Sequence, residues 1–275
     1  MPYQRRVDRE RPACFMFLLD QSYSMNEPVA GRPGQTKAQA LADAINTLLY
    51  ELVLRCIKNP EEGPRHYYDV GVVGYGATVG PVWGGALAGR DLVSIVEIGH
   101  HPLRVEQRDQ STVGGGSARM PIWFDPVADG ATPMTGAMDY AGGVIAGWVA
   151  EHQSSFPPIV INVSDGAATD GDPSLWARRL GSLVTDDGNA LVFNVNISAL
   201  AGQQTWFPSS VDQLSDDYAR QMFDMSSELP PFMQEVAGMQ GHQVRPGARG
   251  FVFNADITSV VNFLQIGTAT HHVTG

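Results

Sequence analysis

Three short stretches hold the residues whose types and spacing can do chemistry together. They are Asp20-Gln21-Ser22-Tyr23-Ser24, Gly130-Ala131-Thr132 and Asp165-Gly166. Asp20, Ser22 and Ser24 alternate, so a loop curling around one point turns all three side chains toward it. With Thr132 and Asp165 they supply two carboxylates and three hydroxyls, an oxygen-only donor set. Hard divalent cations take such ligands. Mg2+ in particular wants near-octahedral oxygen geometry and keeps several waters, with Mn2+ or Ca2+ as substitutes. Soft-metal chemistry has less to offer: His100-His101 and His271-His272 lack a cysteine or a helically spaced histidine partner and read as surface residues.

For the three stretches to meet, each must sit where a regular element ends. Residues 14–19 form a continuous apolar run, as in a strand buried on both faces, and Asp20 follows it directly. Residues 37–57 place apolar side chains at 41, 45, 48, 49, 52, 53 and 56, a helical spacing, and Asn59-Pro60 stops it. Residues 68–75 read as a second buried strand. Residues 132–151 are helical, with Met134, Met138, Ala141, Ile145 and Trp148 on one stripe, and Gly142, Gly143 and Gly147 are expected to let this helix pack closely on a sheet. A third strand at 158–164 runs straight into Asp165. A helix at 172–183, a strand at 190–197, a late strand at 249–254 and a closing helix at 256–266 complete the pattern. The alternation predicts an α/β fold: a Rossmann-like, doubly wound, mostly parallel sheet with helices on both faces, and with ligands at the carboxyl ends of its strands. Residues 77–131 and 201–248 break the rhythm and read as insertions in a single domain spanning 1–275. The first carries short β-like pieces at 79–83, 92–98 and 120–124 around Gly114-Gly115-Gly116; the second carries a helix near 214–223.

Taken in order, Asp20-x-Ser22-x-Ser24 after a strand, Gly130-Ala131-Thr132-Pro133-Met134 at a helix start and Val163-Ser164-Asp165-Gly166 after a later strand resemble the metal-ion-dependent adhesion site (MIDAS) of von Willebrand factor type A (vWA) domains. Residues 164–170, Ser-Asp-Gly-Ala-Ala-Thr-Asp, also resemble the S/T-D-G-x-P-T-D run of bacterial members, departing at Ala168 where proline is frequent. The resemblance covers about residues 13–266. It implies the vWA fold, with Ser22, Ser24 and Thr132 on the metal directly or nearly so, and Asp20 and Asp165 directly or through water. It also implies an open metal position for a Glu or Asp from a partner protein, and a ligand exchange coupled to loop and terminal-helix shifts. Stand-alone bacterial members act as adaptors or scaffolds beside AAA+ ATPases, in metal chelatase complexes, or with kinases and phosphatases in stress and defence operons. The sequence shows no ATPase part, which argues against a whole chelatase subunit.

Each site residue has a plainer reading. Thr132 before Pro133 is a good helix N-cap without any metal, Ser22 and Ser24 suit a turn, Asp172 before Pro173 suits a cap, and Asp170 suits a brace of the 165–172 loop. Beside one another, the first three favour the metal. An enzymatic alternative is a Mg2+-dependent phosphatase of the dehalogenase type, which also follows its first strand with an aspartate, here Asp20. It needs a second acid two positions on, where Ser22 stands. A phosphate loop at 31–37 fails for want of a Gly-Lys-Ser/Thr ending. Tyr23 is the aromatic best placed to touch a partner, with a core-facing ring as the equal alternative. The chain's 18 Lys and Arg against 29 Asp and Glu, a net −11, argue against nucleic-acid or anionic-membrane partners reached by charge. No run approaches the roughly 20 apolar residues of a membrane span. Cys14 and Cys56 cannot build a disulfide framework and are expected to be inert buried thiols. A cytoplasmic location is the expectation.

Overall fold

The run after Pro12 is strand β1 (Ala13–Asp20), buried along its whole length. A computed structural model describes residues 2–29, 34–59, 61–109, 117–197, 203–214, 216–269 and 271–272; the triple-glycine loop at 114–116 lies outside them. Beside β1 runs β2 (Tyr68–Tyr75), parallel and in register from Ala13↔Tyr68 to Asp20↔Tyr75. Two short antiparallel strands, β3 (Val79–Pro81) and β4 (Val93–Ser94), both pair with β2. On the other side of β1 lies β5 (Ile159–Ser164), then β6 (Leu191–Ile197), then β8 (Phe251–Ala255), all parallel, with the short antiparallel β7 (Thr205–Trp206) at the edge. The order is β7-β8-β6-β5-β1-β2-β3, an eight-stranded and mostly parallel sheet.

Because β1 is central, its two faces serve two layers. Phe15, Phe17 and Leu19 join one core with α1 (Lys37–Cys56) and α7 (Ile257–Gly267). Cys14, Met16 and Leu18 join the other with α3 (Met134–Glu151), α4 (Ser174–Leu180) and α5 (Asp217–Asp224). Strand order therefore reverses at β1: the chain leaves through α1 to β2 on one side and returns through α3 to β5 on the other, all three strands parallel. That is the switch point at which open α/β sheets leave a crevice. The expected doubly wound architecture is the observed one.

Several local expectations change. Residues 92–98 are not β-like throughout. Only β4 pairs, and then Ser94 accepts from the Glu97 amide and starts α2 (Ile95–His100). The second insertion holds a further helix, α6 (Pro231–Met239), beyond the one expected near 214–223; proline at its first turn was the available signal. The glycines of α3 do not mark close packing. A side-chain carbon on Gly142 would touch only Leu180, at 4.0 Å, and on Gly143 or Gly147 nothing; the structure gives no reason for glycine there. Cys14 and Cys56 are free and buried, and burial pushes both thiols up, Cys56 to about 12. Among the described residues no helix is long and apolar enough to cross a membrane.

At the amino ends of the strands, Asp69 at the start of β2 pairs with His66 Nε2 at 2.7 Å and accepts from Trp148 Nε1 at 2.9 Å. Burial pushes the Asp69 carboxyl up, but these two hydrogen bonds and the neighbouring imidazoles outweigh it and hold it low. The same hydrogen bond raises His66. A histidine raised in the folded state stabilises fully below its unfolded pKa of about 6.5 and stops doing so as pH climbs through the folded value. The metal-free chain should therefore lose stability from about pH 6.5 upward, in urea midpoints taken at half-unit steps. In His66→Gln and in Asp69→Asn that portion of the curve should be flat.

Candidate metal centre

Asp20 ends β1 at 1% exposure. Its Oδ1 accepts the Ser22 amide at 2.8 Å and its Oδ2 the Ser164 hydroxyl at 2.6 Å. Both oxygens are thus held by neutral donors, and among the described residues no cationic side chain pairs with Asp20. Burial raises its pKa, the Ser164 and Ser22 hydrogen bonds pull it back, and the charge of Asp165 adds to the rise. Ser22 precedes a single 3-10 turn (Tyr23–Asn26) without capping it. Its hydroxyl instead lies 3.0 Å from that of Ser24, and Ser24 donates to Asp165 Oδ1 at 2.7 Å. The sheet register explains the meeting: Leu19 is level with Val163 on β5, so the residues just past both strand ends emerge together.

Asp165 Oδ2 accepts from Lys37 Nζ at 2.8 Å, and the same ammonium donates to Glu27 Oε2 at 2.7 Å. Burial works against the Lys37 charge, but the bonds to Asp165 and Glu27 outweigh it and raise its pKa. Asp20, Ser22, Ser24, Asp165, Lys37 and Glu27 form one continuous polar chain.

Thr132 joins by a different route. The helix starts at Met134, behind Pro133, and the Thr132 hydroxyl neither caps it nor hydrogen-bonds to any described residue, although the side chain is buried. The cap reading of Thr132 is corrected. Asp170 holds the start of α3, accepting from the Thr135 and Gly136 amides at 3.0 and 2.8 Å. Thr169 pairs with Thr132 twice, backbone to backbone and from the Thr132 amide to its own hydroxyl. Asp170 is thus a brace across to α3, not within its own loop, while Asp172 accepts from the Ser174 amide at the start of α4, as expected. Ahead of Thr132, Gly130 sits at φ +85°, and a side-chain carbon there would come within 2.4 Å of the Ala77 nitrogen. That glycine lets the chain wedge between Gly76-Ala77 and the 21–23 loop, where Tyr23 N–H donates to the Gly130 carbonyl at 2.9 Å.

The residues missed in the sequence are Lys37, Glu27 and Tyr218. In the sequence Lys37 marks a helix start and the end of the failed 31–37 phosphate loop, with nothing tying it to Asp165. Tyr218 on α5 has a buried hydroxyl without a hydrogen-bond partner among the described residues, close enough to Ser164, Asn196, Asp20 and Asp165 to feel each of them; no motif pointed to it. Tyr23 is 73% exposed beside the site.

Among the described residues no cluster of three or more His, Cys, Asp or Glu side chains gathers anywhere. A cation held here would rely on two carboxylates, hydroxyls and water, which suits a hard ion that stays partly hydrated. The buried Asp20 carboxylate without a counter-cation and the unengaged Thr132 hydroxyl both fit such an ion.

By sequence, no protein-family profile and no characterised protein matches the chain. Solved structures do match in fold. The ArnB paralog VWA2 from Sulfolobus acidocaldarius is 12% identical, with a TM-score of 0.35 over 68% of this chain and 35% of its own. Proximal thread matrix protein 1 from the mussel byssus is 13% identical, with a TM-score of 0.43 over 95% of this chain and 46% of its own. The pilus adhesin RrgA from Streptococcus pneumoniae is 15% identical, with a TM-score of 0.32 over 62% and 22%. The chain spans less than half the length of each. Likeness at this level carries nothing about the site.

Asp170 satisfies two amides that the first turn of α3 otherwise leaves open. Asp170→Ala should cost about 1–2 kcal/mol in urea unfolding. Asp170→Asn, which keeps an acceptor, should cost less.

Proposed function

We propose that the chain is a Mg2+-dependent protein-binding module, an adaptor or scaffold that docks a partner's Glu or Asp at the rim built by Asp20, Ser22, Ser24, Thr132 and Asp165. One observation carries the reading. A carboxylate sealed from water, held by a hydroxyl and an amide and facing no cation among the described residues, is costly to keep charged unless something positive completes it. The vWA-type motifs, in their order and at the ends of these particular elements, name the same five residues.

The charge count permits an anionic ligand. Asp20 and Asp165 balance a divalent ion and Glu27 balances Lys37, so the bound site carries no net negative charge. Bound there, Mg2+ supplies an electrophilic position that a partner carboxylate can fill. Exposed Tyr23 lies where the partner's neighbouring side chains would arrive. The overall charge of −11 repels an acidic partner at long range, but screening confines that to about 8–10 Å in physiological salt, and the ion dominates at contact.

We read the protein as non-enzymatic and cytoplasmic, a single bacterial vWA-type unit in a stress or defence system with an AAA+ ATPase, kinase or phosphatase partner. Phosphatase chemistry at Asp20 lacks the second acid it needs two positions on, where Ser22 stands.

Calorimetric titration with Mg2+ or Mn2+ tests the site. Asp20→Ala and Asp165→Ala should each weaken binding at least tenfold. Affinities unchanged in both variants would remove the metal from this account.

A further inference from the structure

Lys37 is an unusual neighbour for a cation site. Its side chain is 5% exposed, and among the described residues its ammonium is the only side-chain cation bonded to either site carboxylate. The placement is built. Thr36 caps α1 reciprocally with Gln39, the Lys37 amide donates to the Glu27 carbonyl at 2.9 Å, and Pro28 bridges Thr36 across the base of the same loop. Those contacts set both ends of the 27–37 segment independently of the Lys37 side chain. They leave Lys37 between one buried carboxylate, Asp165, and one that is 57% exposed, Glu27.

Each oxygen of Asp165 already accepts one donor, Oδ1 from the Ser24 hydroxyl and Oδ2 from Lys37. An ion that binds Asp165 through the remaining lone pairs comes close to one or both donors. A hydroxyl can turn and offer its lone pair to the ion. An ammonium has no lone pair, and it repels a dication at that distance. Its second bond, to Glu27, gives it a partner to keep once Asp165 is surrendered, so that no buried charge is left alone.

We propose that Lys37 is the internal counter-cation of the metal site: it holds Asp165 when no divalent ion is bound and yields that carboxylate, retreating onto Glu27, when one is. Divalent affinity is then set by an exchange of cations. This inference rests on the metal-site reading above, and it makes Lys37 a positioning and selectivity residue. A lysine that only stabilised the fold would lower metal affinity when removed. A competing cation raises it.

The test uses the full chain and Mn2+ alone as the probe. Calorimetric affinities are measured for wild type, Lys37→Met, Lys37→Gln, Glu27→Gln and Asp165→Ala, with thermal unfolding of each in chelator and in Mn2+. Lys37→Met should bind Mn2+ at least tenfold more tightly, melt lower than wild type in chelator, and gain more from added Mn2+. Lys37→Gln keeps a donor near Asp165 without the charge and should shift in the same direction; it carries the test if Lys37→Met does not fold. Glu27→Gln should weaken Mn2+ binding when Lys37 is present and change nothing beside Lys37→Met. Binding seen only in the Lys37 variants would also support the exchange. Unchanged or weaker binding in both Lys37 variants, with binding abolished in Asp165→Ala, would overturn the exchange and leave the metal site standing. No Mn2+ binding in wild type and in both Lys37 variants would overturn both.

Discussion

The structure around the crevice is organised by one electrostatic problem: two carboxylates emerge side by side from adjacent parallel strands, and both are hidden from water. Like charges at the ends of β1 and β5 repel, and burial strips each of solvent. Every nearby feature answers this. Hydroxyls of Ser24 and Ser164 and the amide of Ser22 take up three of the four carboxylate oxygens, and Lys37 takes the fourth. Among the described residues only one of the two charges has a cationic partner, which leaves Asp20 the unresolved member of the pair.

The scaffold keeps that arrangement from relaxing. Asp20 cannot slide away from Asp165, because β1 is hydrogen-bonded in register on both sides and a slip of one residue would turn Phe15, Phe17 and Leu19 into the opposite core. Beneath the rim, Tyr75 donates to Asn162, Asn162 to Asn194, and Asn194 to Ser226, so that β2, β5, β6 and the segment after α5 share one buried polar network. Such a network is favourable only when nearly every member is satisfied, which fixes the spacing of the strands that carry the site. Above it, Thr169 and Asp170 tie the loop after β5 to the start of α3, so Asp165 and Thr132 are positioned as a unit.

Much of this was legible in the sequence, for reasons that can be stated. Continuous apolar runs ending in Asp20 and Asp165 marked buried parallel strands and their carboxyl ends, and α1 declared itself by its apolar spacing. What could not be read depends on through-space neighbours. Lys37 looked like any basic residue opening a helix; that it lies under Asp165 follows from how the 27–37 loop closes, and no local pattern records closure. Thr132 carried a strong N-cap signal that Asp170, 38 residues further on, pre-empted. The glycines of α3 invited a packing explanation because a helix interior penalises glycine, yet the space around them is open. Residues 92–98 were read as β-like from their apolar content, although the Ser94-x-x-Glu97 cap at their centre was the better guide.

The choice of hydroxyls over further carboxylates has a consequence for what the site can hold. A third acid among Ser22, Ser24 and Thr132 would over-neutralise a divalent ion and repel an anionic ligand. Three neutral oxygens leave the ion's charge only balanced, and Glu27 balances Lys37. The same economy leaves the empty site with the buried carboxylates of Asp20 and Asp165 and one ammonium shared with exposed Glu27, an imbalance that a buried pair tolerates only while hydrogen bonds are abundant. The density of hydroxyls around Asp20 and Asp165 therefore serves both states: it satisfies the carboxylates when they are alone, and it offers lone pairs when they are not. A side chain that can donate in one state and accept in the other is what this crevice requires, and serine and threonine are the residues that do so without adding charge.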